Sequence, residues 1–484
     1  MSAARFRNPF LYGLIALLST AAGLSGAGKE ELPNIVLILA DDLGYGDPAS
    51  NNPESRIPTP AIDRIAAEGM RFTDAHSPAA LCVPSRYGLL TGRYPLRSRL
   101  AWRREAVIPP GEATLATLLK AKGYRTAMLG KWHLGFDGGE KYEYGKPLTG
   151  GPVDRGFDYY FGIPASLDIP PYFYIRGRRA EAAPTERIDA SSTPGWSPIQ
   201  GAFWRAGPVA PGFRHRDVLP RLEQEAVRLI ELYARQRLRR PFFLYVALTA
   251  PHTPWLPLEQ FRGKSHAGLY GDFVVQVDHT VGRILETLDR EGLAPQTLVI
   301  FTSDNGPVWY PADVERFHHS ATGPLRGMKA DSWEGGHRVP FLVRWPGRVE
   351  PGSKSDELIA FTDIMATLAE AVGAAKPDTA VDSRSFLPVL LGKRMDGPVH
   401  EHLILKENAA VVRQGRWKLI THLGSGGFSK PKRVQPEPGG PEGQLYDLEK
   451  DIGERHNLWQ ERPEIVRRLM AIRAQYQPQS RRRR

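Results

Sequence analysis

Cysteine is almost missing from this sequence: Cys82 stands alone among 484 residues. One cysteine excludes an internal disulfide, which leaves it either a small buried side chain or a group kept for its chemistry. Long apolar runs are also missing. Beyond the first thirty residues none is long enough to span a bilayer, so no stable membrane insertion is expected. The chain lacks repeats of solenoid or propeller length and lacks any nucleic-acid-binding motif, which excludes a repeat scaffold and gives no reason to expect a nucleic-acid partner. Its 48 Gly and 42 Pro follow no period, predicting many structured loops rather than low complexity.

What is present is an ordinary globular balance, 41% apolar and 24% charged, in a chain long enough for one large domain and a smaller one. Arg5 and Arg7, the apolar run Phe10 to Leu24 and the small residues Ser25-Gly26-Ala27 form the pattern of a cleaved export signal over residues 1–27. The expected location is therefore periplasmic or secreted. The net charge of +11, with a basic tail over 477–484 expected to be disordered, suits a polyanionic partner as well as a merely solvated face.

Four apolar runs carry the fold. Asn34–Ala40 runs into Asp41-Asp42, Arg125–Leu129 into Gly130-Lys131-Trp132-His133, Phe242–Leu248 into Thr249-Ala250-Pro251-His252, and Leu298–Thr302 into Ser303-Asp304-Asn305-Gly306. Amphipathic stretches at 59–68, 112–122, 220–236 and 270–291 lie between them. This alternation predicts an α/β fold: a large, mainly parallel sheet sandwiched by helices, spanning residues 28–395. Short strands at 402–406, 410–413, 417–421 and 444–448 and a helix at 463–475 predict a smaller C-terminal α+β domain, 396–476, built on an antiparallel sheet. Ligands collect at the carboxyl ends of parallel strands, so the four charged strand ends predict one shared site.

Asp41, Asp42, Asp304 and Asn305 supply hard oxygen donors suited to Ca²⁺ or Mg²⁺. Carboxylates crowded at buried strand ends are costly unless a cation neutralises them. Arg86, Lys131, His133, His252 and Lys329 add positive or imidazole side chains, and a tetrahedral oxyanion would reconcile so many of them beside one metal. Each residue taken singly reads as a loop or surface side chain; their joint placement at strand ends carries the inference. In Cys82-Val83-Pro84-Ser85-Arg86, Pro84 suits a first helical turn, so Cys82 is expected at a helix N-terminus, where the dipole lowers a thiol pKa.

This run, with Thr91-Gly92-Arg93, resembles the signature of the formylglycine-dependent (type I) sulfatases of the alkaline phosphatase superfamily. Leu37–Gly46, Gly130–Gly135, Ala250-Pro251-His252, Ser303–Gly306, Gly323–Lys329 with Trp333–Gly336, and Leu445–Leu448 with Glu454 and Asn457-Leu458 resemble further family segments in order. The resemblance implies that a maturation enzyme oxidises Cys82 to formylglycine, whose hydrate attacks sulfur. It implies that Asp41, Asp42, Asp304, Asn305 and the modified Cys82 hold a divalent cation, usually Ca²⁺. His252 and Lys329 would lie at the bridging oxygen, Arg86 and Lys131 would position the hydrate and neutralise charge, and His133 would take the second hydrate proton.

A sulfated carbohydrate or aryl sulfate is the expected substrate, framed by the loops 137–168, 172–213 and 307–322. His318 and His319 are placed to reach a sugar. A phosphonate monoester or phosphodiester hydrolase of the same superfamily is the nearest alternative. A non-catalytic binder of sulfated glycans, using the aromatic-rich segments 170–179 and 196–213, is the other.

Overall fold

In the computed structural model, described for residues 32–236, 240–406, 408 and 410–476, a ten-stranded sheet organises the chain. The export signal expected over 1–27 and the basic tail expected over 477–484 lie outside the described residues. Strand order across the sheet is Ser353–Ser355, Met70–Phe72, Phe341–Arg344, Thr297–Ser303, Asn34–Asp41, Phe242–Pro251, Arg125–Lys131, Tyr159–Ile163, Ile175–Arg176, Arg179–Ala180. The five strands from Thr297 to Tyr159 in that order are mutually parallel. Antiparallel pairings flank this centre on both sides, and at one edge Ser353–Ser355 pairs parallel with Met70–Phe72, so the sheet is mixed around a parallel centre.

Every residue of the Asn34, Phe242 and Thr297 strands is buried. Buried on both faces, such strands need no polar alternation and read as continuous apolar runs. Two groups of helices cover them. Pro60–Ala67, Val218–Arg235 and Gly268–Arg290 contact one another; Cys82–Thr91, Leu115–Ala121 and Asp363–Ala371 form the second group. The Thr114 hydroxyl accepts from Thr117 N at 3.1 Å and caps the Leu115 helix.

The C-terminal strands Leu403–Leu405, Val411–Gln414, Trp417–Ile420 and Gln444–Asp447 form an antiparallel sheet in sequence order. Its side chains alternate between two cores. Leu403, Leu405, Val411, Ile420 and Tyr446 pack with Trp333 and Leu358, whereas Ile404, Val412, Leu419 and Leu445 pack with Val466 and Leu469 of the helix Pro463–Ala474. Trp333 lies four residues beyond Lys329, so this second sheet braces a loop of the site.

Candidate active site

The charged strand ends converge. Asp41 closes the central strand, Lys131 closes its own, and His252 and Asp304 each follow one directly. Between Leu39 and Asp41 the pairing with the Phe242 strand slips, Leu39 facing Ala247 but Asp41 facing Pro251. A bulge of this kind re-aims side chains next to active sites. Asp42 and His133 adopt the left-handed backbone, φ 66° and 56°. For residues other than Gly that conformation costs of order 1–3 kcal/mol and persists where surroundings impose it, typically at functional sites.

Cys82 opens the helix Cys82–Thr91, which is buried along its whole length and ends on Gly92 at φ 68°, where a side chain would also crowd Met365 and Ala380. The Cys82 Sγ lies 3.5 Å from Asp41 Oδ1 and 3.4 Å from Lys329 Nζ. Arg86, one helical turn on, points its guanidinium at Asp304, Nε at 3.1 Å and Nη2 at 2.8 Å, and donates Nη1 to the Lys131 carbonyl at 3.0 Å. Lys131 Nζ holds both oxygens of Asp41, at 2.9 and 2.6 Å. Lys329 Nζ and Asn305 Nδ2 donate to Asp42 Oδ1 at 2.6 and 2.7 Å.

Three carboxylates thus face three fixed cations, all buried. Burial opposes ionisation of Asp41, yet Lys131, His252, Arg86 and Lys329 hold it well below the usual carboxylate range. Burial and the neighbouring Asp41 push Asp304 the other way. Burial, then Lys131 and Arg86, depress His133 and keep its ring neutral. Neither His133 nitrogen has a hydrogen-bond partner, and the ring meets Trp102 edge-on with centroids 4.5 Å apart. His252 Nδ1 lies 2.6 Å from the Thr253 carbonyl, which assigns its proton there and leaves Nε2 free, 3.7 Å from Asp42 Oδ2.

Cys82 corrects one expectation. Its thiol is pushed up, not down: burial is the main cause and Asp304 the next, and together with Asp41 they outweigh Lys131 and Lys329. A helix N-terminus does not make a thiolate where the same pocket already holds three carboxylates.

A divalent cation fits the donor set. Ligand atoms of Asp41, Asp42, Cys82 and His252 lie within 4.8 Å of one another, and Asn305 Oδ1 is buried without a hydrogen-bond partner. An orphaned amide oxygen beside carboxylates is an available hard ligand.

A cavity of about 120 Å³ opens on Asp42, His252 and Lys329. Its lining includes Asp168 and Arg205, from the loops 137–168 and 172–213 expected to frame the pocket, and Trp255 and Phe428, which the sequence reading did not place there. Asp168 and Arg205 are ion-paired across 37 residues, and such a pair leaves no local pattern to find. Trp255, three residues beyond His252, was the nearest to a visible signal. His318 is exposed on a separate cleft of about 970 Å³. His319 departs from expectation. It is buried, with Nε2 2.8 Å from Asp47 Oδ1 and Nδ1 accepting from Arg56 N at 3.3 Å, so no ring nitrogen is left for a sugar. Trp196, half-buried, packs against Trp255, Trp309 and Phe317.

The sulfatase family profile matches residues 33–374, most of the chain. The chain belongs to the sulfatase family. It is a sulfuric ester hydrolase of the type I class in the alkaline phosphatase superfamily. A second profile, the C-terminal part of N-sulphoglucosamine sulphohydrolase, matches residues 329–477. An N-acetylgalactosamine-6-O-sulfatase of Bacteroides thetaiotaomicron is 34% identical, over 95% of this sulfatase and 98% of that protein. Arylsulfatase A of Bos taurus is also 34% identical, over 95% of this chain and 90% of its own. A solved sulfatase structure from work on glycosaminoglycan metabolism by Bacteroides thetaiotaomicron superposes with a TM-score of 0.79 at 32% identity, covering 92% of this chain and 99% of that one.

Proposed function

We propose that this sulfatase is exported and removes sulfate from carbohydrate esters, using formylglycine made from Cys82 by a separate maturation enzyme. The placement of Cys82 carries the modification reading: it opens a buried helix with Sγ 3.4 Å from Lys329 Nζ and 3.5 Å from Asp41 Oδ1, among the residues that would hold the cation. The relatives that act on N-acetylgalactosamine 6-sulfate support a sugar substrate, and the signal-like residues 1–27 support export.

Asp41, Asp42, Asp304 and Asn305 would hold the divalent cation, with residue 82 beside them. A Ca²⁺ or Mg²⁺ held there would supply polarisation of a sulfate oxygen, and formylglycine at position 82 would supply an oxygen nucleophile as its hydrate. Lys131 and Lys329 neutralise the remaining sulfate charge. Arg86 fixes Asp304 and, through the Lys131 carbonyl, the adjacent strand end. His252 presents Nε2 to the cavity and, with Nδ1–H held on the Thr253 carbonyl and a second proton on Nε2, is the group to protonate the departing alcohol oxygen. His133, kept neutral, is suited to receiving a proton from the residue 82 side.

A panel of an aryl sulfate, defined sulfated monosaccharides including N-acetylgalactosamine 6-sulfate, a phosphonate monoester and a phosphodiester tests this reading, with Cys82→Ala as control. Dominant turnover of sugar sulfates, abolished in the control, is expected. A dominant phosphonate rate, or desulfation surviving in Cys82→Ala, would overturn it.

A further inference from the structure

Residues 424–434, between the last two strands of the small sheet, reach the catalytic pocket. Phe428 lines the 120 Å³ cavity together with Lys329 and His252, and the next residue, Ser429, lines the 970 Å³ cleft. The tip of this loop is therefore the wall between the two cavities. Immediately after it come Lys430, Lys432 and Arg433, all exposed, and none forms an ion pair with a described residue.

The loop is pinned. Ser429 N donates to Asp331 Oδ1 at 3.1 Å, two residues beyond Lys329. Ser425 N and Gly426 N donate to the carbonyls of Pro431 and Lys432 at 3.0 and 2.8 Å, closing the loop on itself. A Cβ at Gly427 would come within 2.3 Å of the Ala330 backbone, so only Gly permits the loop to seat this closely. The backbone that carries these three exposed cations is thus held next to Phe428 and Ser429, which line the two cavities, and a preorganised backbone binds at lower entropic cost than a mobile one.

We propose that Lys430, Lys432 and Arg433 form a binding strip for the anionic polysaccharide chain that continues beyond the reacting sugar. The inference rests on the carbohydrate reading above and adds to it that the substrate is a polyanion engaged over more than one residue. Charge complementarity selects the occupant. The strip is purely cationic, whereas the 970 Å³ cleft that Ser429 lines carries Glu54 and Glu315, which repel sulfate or carboxylate groups. A chain leaving the pocket is therefore drawn across the strip.

The test compares wild type with the triple variant Lys430→Ala, Lys432→Ala, Arg433→Ala in the full-length matured enzyme. The substrates are an aryl sulfate, a sulfated monosaccharide and chondroitin sulfate oligosaccharides of increasing length. Wild-type KM is expected to fall with chain length and rise with salt. The variant should lose that length dependence, raising KM for the longer oligosaccharides by about tenfold, equivalent to about 1.4 kcal/mol, with aryl sulfate and monosaccharide kinetics unchanged. Binding of dextran sulfate to Cys82→Ala protein, read by calorimetry, should weaken in the same way when the triple change is added.

Equal kinetics of wild type and variant on every chain length would overturn the inference, as would equal losses on aryl sulfate and oligosaccharide. Binding to anionic phospholipid vesicles lost in the variant, with oligosaccharide kinetics intact, would reassign the strip to a membrane surface and also overturn it. Wild-type turnover of aryl sulfate with no sugar sulfate accepted would instead defeat the carbohydrate reading, and this inference with it.

Discussion

Arg86 shows how the site depends on geometry as much as on charge. Its guanidinium makes two contacts to Asp304 Oδ2 and one to the Lys131 carbonyl, and all these groups are buried. Lysine keeps the charge but lacks the planar fork. Arg86→Lys is expected to lower kcat on an aryl sulfate by about a hundredfold or more, because displaced catalytic groups cost that much. Arg86→Leu should in addition lower stability by roughly 3–5 kcal/mol, the cost of stranding a buried carboxylate, read as a fall in the denaturation midpoint. The orphaned Asn305 oxygen leads to a second expectation. Chelator treatment should abolish turnover and lower Tm, and added Ca²⁺ should restore both, since a ligand bound only by the folded state stabilises it. A Tm indifferent to chelator and Ca²⁺ would count against the cation site. Most residues of this centre were visible in the sequence because each directly follows an apolar strand. Asp168 and Arg205 fall in the loops 137–168 and 172–213 expected to frame the pocket, but their pairing and the arrival of Phe428 were not visible, since both depend on the tertiary packing of irregular segments. His319 looked available because its sequence neighbours say nothing of Asp47, 272 residues away.

Elements are held close to the site by glycine. Gly130 has φ 100°, and a Cβ there would lie 1.8 Å from the Ala247 carbonyl oxygen of the neighbouring strand. Gly130→Ala would push the Lys131 strand end outward. It should destabilise the protein by more than about 2 kcal/mol and reduce kcat, measured by denaturant melts alongside turnover. The loop aromatics give a pH signature. His215 is stacked on Trp204 and meets Tyr172 and Phe213, and burial lowers its pKa from 6.5 to about 4. The folded state therefore binds fewer protons than the unfolded chain between those values, so this contribution is complete above pH 6.5 and lost as pH falls towards 4. It amounts to about 3 kcal/mol by pH 4. In His215→Asn the loss of stability from pH 7 to pH 4 should be smaller by about that much; an unchanged pH slope would contradict it. Four of the five parallel strands and the long helices were legible in the sequence to within a few residues; the fifth, Tyr159–Ile163, lies inside the segment 137–168 read as a loop. The edge strands Met70–Phe72, Phe341–Arg344 and Ser353–Ser355 were not, being three or four residues long and recognisable only once paired.

Across the whole molecule, the small sheet is coupled to the catalytic scaffold by buried charge. Lys418 Nζ lies 3.0 Å from Glu334 and 2.8 Å from Glu454, and Arg413 bridges Glu334 at 3.0 Å and Asp74 at 2.9 Å. Glu334 is five residues beyond Lys329, and Asp74 is eight before Cys82, so the network fixes both approaches to the site. Lys418→Met should cost roughly 3–5 kcal/mol by leaving two buried carboxylates without their shared partner, with Tm as the readout. The sequence showed these strands but not this coupling, because buried charges on short strands look like ordinary surface alternation. The central claim concerns residue 82. Mass spectrometry of the Cys82 peptide from active enzyme, prepared with and without a formylglycine-generating enzyme, tests it most directly. An aldehyde in place of the thiol, in a fraction that tracks specific activity, is the expected result; full activity in protein whose Cys82 is an unmodified thiol would contradict it.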